Sequence, residues 1–348
     1  MIRVLIVDDS PAVRQVLQAT LSSDPEIQVV GLAVNGQDAV QKVLALRPDI
    51  VTMDVEMPLM NGIEATRSIM EQCPTPVVIV TGHGGAGEAD VAFSALRVGA
   101  LQVLEKPMGL LDQMRQQERE LFIATIKALS EVRVIRRRFD NRTESAAGSA
   151  PSSVSRLRNR IELTVIGAST GGPAALNTVL RALPATWPTP LLIVQHITIG
   201  FTQGLVQWLQ RDCALALRIV EHTLVMAAGV VYFAPDDRHL VVRGKNLMDL
   251  SDAPQVNHVR PSVDVLFESV ARHYGGAVLA VLLTGMGEDG AAGMQAIHTQ
   301  GGVTIAQDEA TSIVYGMPKA AVDLGACSYI LPIQEIGPRL ASLLQVSQ

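Results

Sequence analysis

Residues 164–173 read Thr-Val-Ile-Gly-Ala-Ser-Thr-Gly-Gly-Pro, and this stretch decides how the second half of the chain folds. A short apolar run ends at Ser169 between Gly167 and Gly171, and a helical pattern follows over Ala174–Leu183. Because glycine permits close backbone approach and unusual dihedral angles, this spacing predicts a strand, a tight turn and a helix. Gly-x-Ser-x-Gly is also the spacing of a nucleophile elbow, in which an exposed serine precedes a helix N-terminus. A serine that only caps the helix explains the same residues, so both interpretations stay open.

Composition sets the broad class of the protein. The chain has 348 residues, 48% of them hydrophobic, and a formal net charge of -6. At about 150 residues per domain, this length predicts two or three domains. The acidic balance argues against a large nucleic-acid interface. The three cysteines are scattered without metal-ligand spacing, and no apolar run reaches the ~18 residues of a membrane span. We therefore expect a soluble cytoplasmic protein with no membrane insertion and no nucleic-acid partner.

In the first part of the chain, up to about Ala128, apolar strand patterns alternate with amphipathic helix patterns. This alternation predicts a doubly wound parallel α/β sheet. The predicted strands are Ile2–Val7, Gln28–Ala33, Ile50–Asp54, Val77–Thr81 and Gln102–Leu104. In such sheets the functional residues gather where the strands end.

Charged and hydroxyl side chains follow four of these strands. Asp8 and Asp9 follow the first strand, Asp54 ends the third, Thr81 ends the fourth and Lys106 follows the fifth. Clustered carboxylates are natural ligands for Mg²⁺, and Mg²⁺ beside one carboxylate suits phosphoryl transfer. We predict Asp54 as the nucleophile, with Lys106 and Thr81 stabilising the phosphoryl oxygens. A helix cap and a solvated lysine would explain the residues singly, but four agreeing strand ends favour the functional interpretation.

The joint between the two halves has a different composition. A helical pattern over Leu110–Leu129 is followed by Thr143–Ser153, which is rich in Ser, Ala, Gly and Pro and reads as a flexible linker. The arginines of this segment could contact an acidic partner, but a run of this kind is more often simply exposed to solvent. We predict domains at residues 1–128 and 161–348, joined by a linker at 129–160. The arginines are Arg133, Arg136, Arg137, Arg138, Arg142, Arg156, Arg158 and Arg160.

From Ile161 onward, strands again alternate with helices, which predicts a mainly parallel α/β sheet. Three short, closely spaced strands interrupt the alternation and favour an antiparallel edge or hairpin. These strands are predicted at Val230–Ala234, His239–Arg243 and Leu247–Leu250.

A nucleophilic serine needs a base and an orienting acid. Among the seven histidines, His196 directly ends an apolar strand pattern on the strand after the one that carries Ser169. His222 also follows a possible strand but lacks a flanking turn signal. We therefore predict that Ser169 and His196 lie at neighbouring strand ends.

The candidate acid lies in the glycine-rich turn Gly285–Gly290, which follows another predicted strand and contains Asp289. The pair Asp236-Asp237 competes with it but lies between short strands. Backbone N–H groups near Met286 could face a developing oxyanion. The chain order Ser, His, Asp disfavours an ordinary α/β-hydrolase.

The first domain resembles the receiver domain of bacterial response regulators. The motifs are Val7–Ser10, Met53–Pro58 with Asn61-Gly62, Thr81-Gly82 and Glu105–Pro107. The resemblance implies that Asp54 accepts a phosphoryl group from a histidine kinase of the chemotaxis type. It also implies that the Thr81 side chain moves with this phosphoryl group. It also implies that Asp8, Asp9, Asp54 and the Glu56 backbone hold Mg²⁺.

The second domain resembles the chemotaxis protein-glutamate methylesterases of the CheB family. The motifs are Gly167–Gly172, Gln195-His196, His258–Asp264, Leu283–Gly290 and Gly316–Pro318. The resemblance implies phosphorylation-activated hydrolysis of glutamate γ-methyl esters on methyl-accepting chemoreceptors, deamidation of receptor glutamines, and opposition to a receptor methyltransferase. No cofactor is expected for the esterase reaction.

Residue by residue, the same resemblance implies Ser169 as nucleophile, His196 as base and Asp289 as orienting acid. Thr170, Met286 and Gly287 are expected beside the oxyanion and substrate. Two other classes of function remain. A DNA-binding output is disfavoured because the arginines lie in the linker rather than on a recognition helix. A non-catalytic receptor adaptor would leave Ser169 inert.

Overall fold

The computed structural model describes residues 1–82, 86–107, 114–132, 134 and 161–344. The chain divides into two compact units, Met1–Asn141 and Arg142–Gln348. The predicted linker and all its arginines lie outside the described residues, apart from residues 129–132 and 134, so the boundaries at 128 and 160 stay predictions. Among the described helices, none is long and apolar enough to cross a membrane.

The first unit contains one parallel sheet with the strand order β2-β1-β3-β4-β5. The predicted doubly wound α/β fold is confirmed. Residues 110–113 of the predicted last helix lie outside the described residues. The elements are β1 (Ile2–Val7), α1 (Pro11–Leu21), β2 (Ile27–Ala33), α2 (Gly36–Leu46), β3 (Ile50–Met53), α3 (Gly62–Gln72), β4 (Val77–Thr81), α4 (Ala86–Arg97), β5 (Gln102–Glu105) and α5 (Met114–Ser130).

Side-chain caps fix where helices α1 and α3 of this unit begin. The Ser10 side chain accepts a hydrogen bond from the Val13 N–H, and Pro11 occupies the first turn of α1. Asn61 and Glu64 form a reciprocal capping box at the start of α3. Because α1 begins four residues after the end of β1 and α3 nine residues after the end of β3, the acidic residues in these two connections stay at the carboxyl edge of the sheet.

The second unit begins with a fully buried strand. Its elements are β6 (Leu163–Ala168), α6 (Gly172–Arg181), β7 (Leu191–Gln195), α7 (Thr202–Gln210), β8 (Ala216–Ile219), β9 (Leu224–Val225), β10 (Val230–Phe233), β11 (His239–Gly244), β12 (Leu247–Ser251), α8 (Val263–Tyr274), β13 (Val278–Leu282), α9 (Ala291–Thr299), β14 (Val303–Gln307), α10 (Met317–Asp323), β15 (Tyr329–Leu331) and α11 (Ile333–Leu344).

Seven of these strands form a parallel sheet in the order β15-β14-β13-β6-β7-β10-β8. The predicted mainly parallel fold is confirmed. The antiparallel strands β11, β12 and β9 form a small sheet of their own. The placement of Val230–Ala234 among them was wrong: β10 pairs in parallel with β7 and β8. Its residues from Val231 to Phe233 are buried without alternation, which is typical of a strand inside a parallel sheet.

The register of the central strands positions the site. Ala168 at the end of β6 pairs with Gln195 at the end of β7, and Gly167 pairs with Leu282 at the end of β13. The residues after these three strands therefore meet at one carboxyl edge. Helix α11, which the sequence did not predict, packs against α6.

Gly167 gives a direct test of this packing. A Cβ at Gly167 would lie 2.4 Å from Val263 Cγ1, whereas a Cβ at Gly244 meets nothing within 4 Å. We expect Gly167→Ala to lower the free energy of unfolding by about 1–3 kcal/mol through overpacking. Gly244→Ala should change it by less than about 0.5 kcal/mol. Both tryptophans, Trp187 and Trp208, lie in the second unit, so urea titrations followed by tryptophan fluorescence report on this unit. Equal effects of the two substitutions would contradict the close packing of β6 on α8.

Candidate active site

Ser169 occupies the turn between β6 and α6. Its N–H donates to the Thr284 carbonyl at 3.0 Å, and its own carbonyl accepts from the Gly172 N–H at 2.8 Å. The residue that caps α6 is Gly171, with φ 77°, and no side chain caps this helix. The interpretation of Ser169 as a helix cap is therefore wrong. Its hydroxyl forms no hydrogen bond with another described residue and is partly exposed.

His196 follows β7 directly. Its N–H donates to the Ala168 carbonyl at 2.9 Å, which extends the β6–β7 ladder to the catalytic edge. Its ring Nε2 lies 2.9 Å from Asp289 Oδ2. Because a carboxylate accepts, Nε2 carries the proton, and Nδ1 is the ring nitrogen left to accept one. The structure thus brings His196 and Asp289 into contact beside the serine turn.

Asp289 is buried and receives donors from several elements. Oδ1 accepts from Ser262 Oγ at 2.7 Å and from Asn257 Nδ2 at 3.0 Å, and Oδ2 accepts from the Val263 N–H at 2.6 Å. Burial acts to raise the pKa of Asp289, but the His196 ring and these donors outweigh it and hold this pKa well below its ordinary value. Asp289 is therefore a carboxylate that can orient and stabilise a protonated His196.

A second buried carboxylate lies next to Asp289. Asn257 Nδ2 also donates to Asp264 Oδ2 at 2.9 Å, and the Gly293 N–H donates to Asp264 Oδ1 at 2.7 Å. Burial is the main cause that raises the pKa of Asp264 to about 6; the Gly293 N–H opposes the shift, and the charge of Asp289 adds to it. Of the two carboxyl groups, Asp264 is the one that takes up a proton first.

The sequence patterns did not reveal which residues hold the carboxyl groups of Asp289 and Asp264 in place. His239 is buried, its Nδ1 accepts from the Ser262 N–H at 3.1 Å, and its Nε2 donates to the Pro254 carbonyl at 3.0 Å. Only Ser262 and Asp264 belong to a recognisable sequence pattern. A serine followed two residues later by an acidic residue is typical of a helix start, and here it marks the start of α8. Asn257 carried none, because its partners lie 7 and 32 residues away.

Asp236 and His222, the alternatives to Asp289 and His196, lie in other surroundings. Asp236 accepts from the Gly200 N–H and from Thr202 Oγ1 at the start of α7, so its carboxylate serves that turn. His222 is exposed. Thr170 is buried and its carbonyl accepts from Thr284 Oγ1 at 2.9 Å.

Three N–H groups near the serine have no acceptor among the described residues, those of Thr170, Met286 and Gly287. Gly285, which directly precedes Met286 and Gly287, lies against the serine, since a Cβ on Gly285 would lie 2.6 Å from Ser169 Cβ. Free N–H groups beside a nucleophile are the elements of an oxyanion hole.

The first unit holds a separate acidic site at its own carboxyl edge. Lys106 Nζ lies 2.8 Å from Asp8 Oδ2 and 2.9 Å from Asp54 Oδ2. Burial raises the pKa of Asp54 to about 6, against the opposing effect of the Lys106 ammonium. Thr81 ends β4, and its carbonyl accepts from the Lys106 N–H at 2.8 Å.

This acidic site fits a divalent cation. Ligand atoms of Asp8, Asp9 and Asp54 lie within 4.8 Å of one another. Asp8 Oδ2 is buried without a hydrogen bond of ordinary geometry, so its contact with Lys106 is ionic and an acceptor remains available. Asp9 and Glu56 line an open cavity of about 460 Å³. Hard oxygen donors beside an open cavity suit Mg²⁺.

Comparison with known families and proteins identifies the family of each unit. The CheB methylesterase family model matches residues 164–340, and the response regulator receiver domain model matches residues 4–118. The second unit is similar to the crystal structure of the Thermotoga maritima CheB methylesterase catalytic domain. That match has a TM-score of 0.51 and 37% identity, and it covers 53% of this chain and 98% of the other.

Two curated relatives align along almost the whole chain. Protein-glutamate methylesterase/protein-glutamine glutaminase 4 of Myxococcus xanthus (strain DK1622) is 44% identical over 348 residues, covering 99% of this chain and 98% of the relative. Protein-glutamate methylesterase/protein-glutamine glutaminase 1 of Syntrophus aciditrophicus (strain SB) is 44% identical over 345 residues, with the same coverage of both chains.

The Asp264 carboxyl group predicts a pH dependence of stability. Its native pKa lies above the ordinary value of 3.8, so the native state binds the proton more tightly than the unfolded state. The free energy of unfolding should therefore fall as the pH rises from about 4 to about 6, by on the order of 1 kcal/mol. Asp264→Asn should remove this part of the decline, measured as the difference between the two urea-unfolding curves followed by tryptophan fluorescence. Parallel pH profiles for the two proteins would contradict the buried-pair assignment.

Proposed function

Because this chain belongs to the CheB methylesterase family and carries a response regulator receiver domain, we propose that it is a phosphorylation-activated protein-glutamate methylesterase. It hydrolyses glutamate γ-methyl esters on chemoreceptors and deamidates receptor glutamines. The observation that carries the proposal is the His196–Asp289 pair at 2.9 Å, placed at the strand end adjacent to Ser169.

In the proposed reaction, His196 Nδ1 takes the proton from Ser169 Oγ as this oxygen attacks the ester carbonyl. The bond from carbon to the methoxy oxygen then breaks, and methanol leaves with the proton from His196. Water, deprotonated by the same nitrogen, attacks the acyl-serine, which releases the glutamate carboxylate and restores the Ser169 hydroxyl. Hydrogen bonds of this kind tighten when substrate binds, so the unbonded Ser169 hydroxyl suits the resting enzyme.

The surrounding residues stabilise the charges that appear. Asp289, held as a carboxylate by Ser262, Val263 and Asn257, offsets the positive charge that forms on His196. The free N–H groups of Thr170, Met286 and Gly287 are assigned to the tetrahedral oxyanion. A glutamine substrate follows the same steps, with ammonia as the leaving group.

In the receiver, Asp54 is the assigned phosphoryl acceptor and a histidine kinase the donor. Lys106, between Asp8 and Asp54, holds the acceptor carboxylate in place and balances charge on the phosphoryl oxygens. Asp8, Asp9, Asp54 and the Glu56 carbonyl would hold Mg²⁺, which neutralises phosphoryl charge when bound. Thr81 is assigned to follow the phosphoryl group, and a receptor methyltransferase is the counterpart that restores the esters.

Removal of the triad residues tests the esterase chemistry. We expect Ser169→Ala to lower methanol release from methylated receptor membranes by at least about 10³-fold, because the nucleophile is lost. Asp289→Asn should lower it by about 10²-fold or more, because the amide no longer stabilises protonated His196. Ser251→Ala serves as control, because within the described part of the chain this hydroxyl accepts from the Ala253 N–H alone. Full release by Ser169→Ala would contradict the assignment of the nucleophile, whereas no release by the parent protein would favour a receptor adaptor.

Phosphorylation control has its own test. Methanol release by the full chain should rise on addition of Mg²⁺ and a small phosphodonor such as acetyl phosphate. The rise should be absent in Asp54→Ala, because this variant has no acceptor carboxylate. A rise that persists in this variant, or release that ignores the phosphodonor, would contradict control through Asp54.

A further inference from the structure

We propose that Gln195 is a positioning residue that ties the nucleophile turn to the base by donating hydrogen bonds to the backbone of both. The inference rests on the proposed function, since it concerns the geometry of Ser169 and His196. Gln195 is the last residue of β7, and its side chain is buried. It touches the backbone of both catalytic residues without touching their reacting atoms.

The tie consists of one amide group. Gln195 Nε2 lies 2.8 Å from the Ser169 carbonyl oxygen and 2.8 Å from the His196 carbonyl oxygen. The two hydrogens of one amide nitrogen thus serve two acceptors, and only the amide orientation with nitrogen toward them satisfies both. The β6–β7 ladder ends at the bond from the His196 N–H to the Ala168 carbonyl. Beyond that bond, the Gln195 amide links the two diverging segments.

The other end of the amide shows how closely the turn is built around it. Gln195 Oε1 is buried and has no hydrogen-bond partner among the described residues. A Cβ on Gly172 would lie 2.0 Å from this oxygen and 2.8 Å from the amide carbon. An unpartnered buried acceptor is costly, and here it accompanies the presentation of Nε2 to the two carbonyls. The glycine at the start of α6 leaves the space that the amide needs.

A second buried glutamine provides the contrast. Gln307, at the end of β14, donates from Nε2 to the Thr311 carbonyl at 2.8 Å and accepts through Oε1 from the Thr284 N–H at 2.9 Å. Both ends of that amide are satisfied, as expected for a residue that holds a loop. Among the described residues, the Gln195 side chain acts only as a donor, and both of its acceptors belong to residues assigned to the reaction.

The first test replaces the donor while keeping the shape. Gln195→Met has similar length and volume, so the fold should persist, but it donates no hydrogen bond. We expect kcat for methanol release to fall ~10- to 100-fold, because small displacements of a nucleophile and its base cost this much. KM should change less than ~2-fold, since substrate contacts are retained. The full chain is assayed with Mg²⁺ and saturating acetyl phosphate.

A matched control separates positioning from stability. Thr164→Val removes a buried hydrogen bond to Thr189 Oγ1 at the opposite end of the strand that carries Ser169. Thermal unfolding, followed by tryptophan fluorescence, should show comparable losses of Tm for the two variants. Only Gln195→Met should lose kcat. Equal kcat losses in both would show that lowered stability, rather than positioning, is responsible, and would overturn the proposal.

A double-variant cycle uses the glycine contact. Gly172→Ala should displace the amide and lower kcat about tenfold in the parent protein. In a Gln195→Ala background the amide is absent and only the approach to Ala168 Cβ at 2.9 Å remains, so the same substitution should have a smaller further effect. Additive losses from Gly172→Ala and Gln195→Ala would overturn the shared mechanism.

A reagent that needs no receptor keeps this test separate from the proposed function. The rate at which a fluorophosphonate probe labels Ser169 should fall with kcat in Gln195→Met. If the parent protein is labelled but releases no methanol, the proposed substrate is wrong while the positioning role stands. Equal labelling rates in the parent protein and Gln195→Met would overturn the positioning role itself.

Discussion

The buried Asp289 carboxylate is the constraint on which the catalytic edge depends. Burying an ionised group is unfavourable unless donors replace the lost water, and Ser262 Oγ, the Val263 N–H, Asn257 Nδ2 and His196 Nε2 supply them. The donors other than His196 come from the start of α8 and the loop before it. Packing of α8 on the sheet therefore determines the orientation of the His196 ring, and His239 fixes the start of α8 through the Ser262 N–H.

Both units use the same physical arrangement for different chemistry. In each, parallel strands end side by side, and the connections from these strands into the following helices keep functional groups at the carboxyl edge. In the receiver, the charge of Lys106 offsets the charges of Asp8 and Asp54. Burial raises the pKa of Asp54, and a bound cation would counter this effect. In the esterase unit, two carboxylates lie together without a lysine. The excess charge is avoided by donors to Asp289 and by the raised pKa of Asp264.

The sequence predicted both sheets and the strand ends that carry Asp54, Ser169 and His196, because strand periodicity and turn residues are local signals. It misplaced β10, since a short apolar strand does not show whether its neighbours run parallel, and it missed α11, which contains Pro338. The roles of Asn257, His239 and Gln195 arise from contacts across distant segments. No local pattern encodes a side-chain amide that donates to a carbonyl 26 residues away along the chain.

The central claim is that Asp289 holds the His196 ring with Nε2 protonated and Nδ1 facing the nucleophile. The most direct measurement is ¹⁵N NMR of the His196 imidazole in the full chain, assigned by loss of the signal in a His196 variant. In the neutral ring we expect a proton on Nε2 and none on Nδ1, and we expect this tautomer preference to be lost in Asp289→Asn. A ring protonated on Nδ1, or one unaffected by that substitution, would contradict the account.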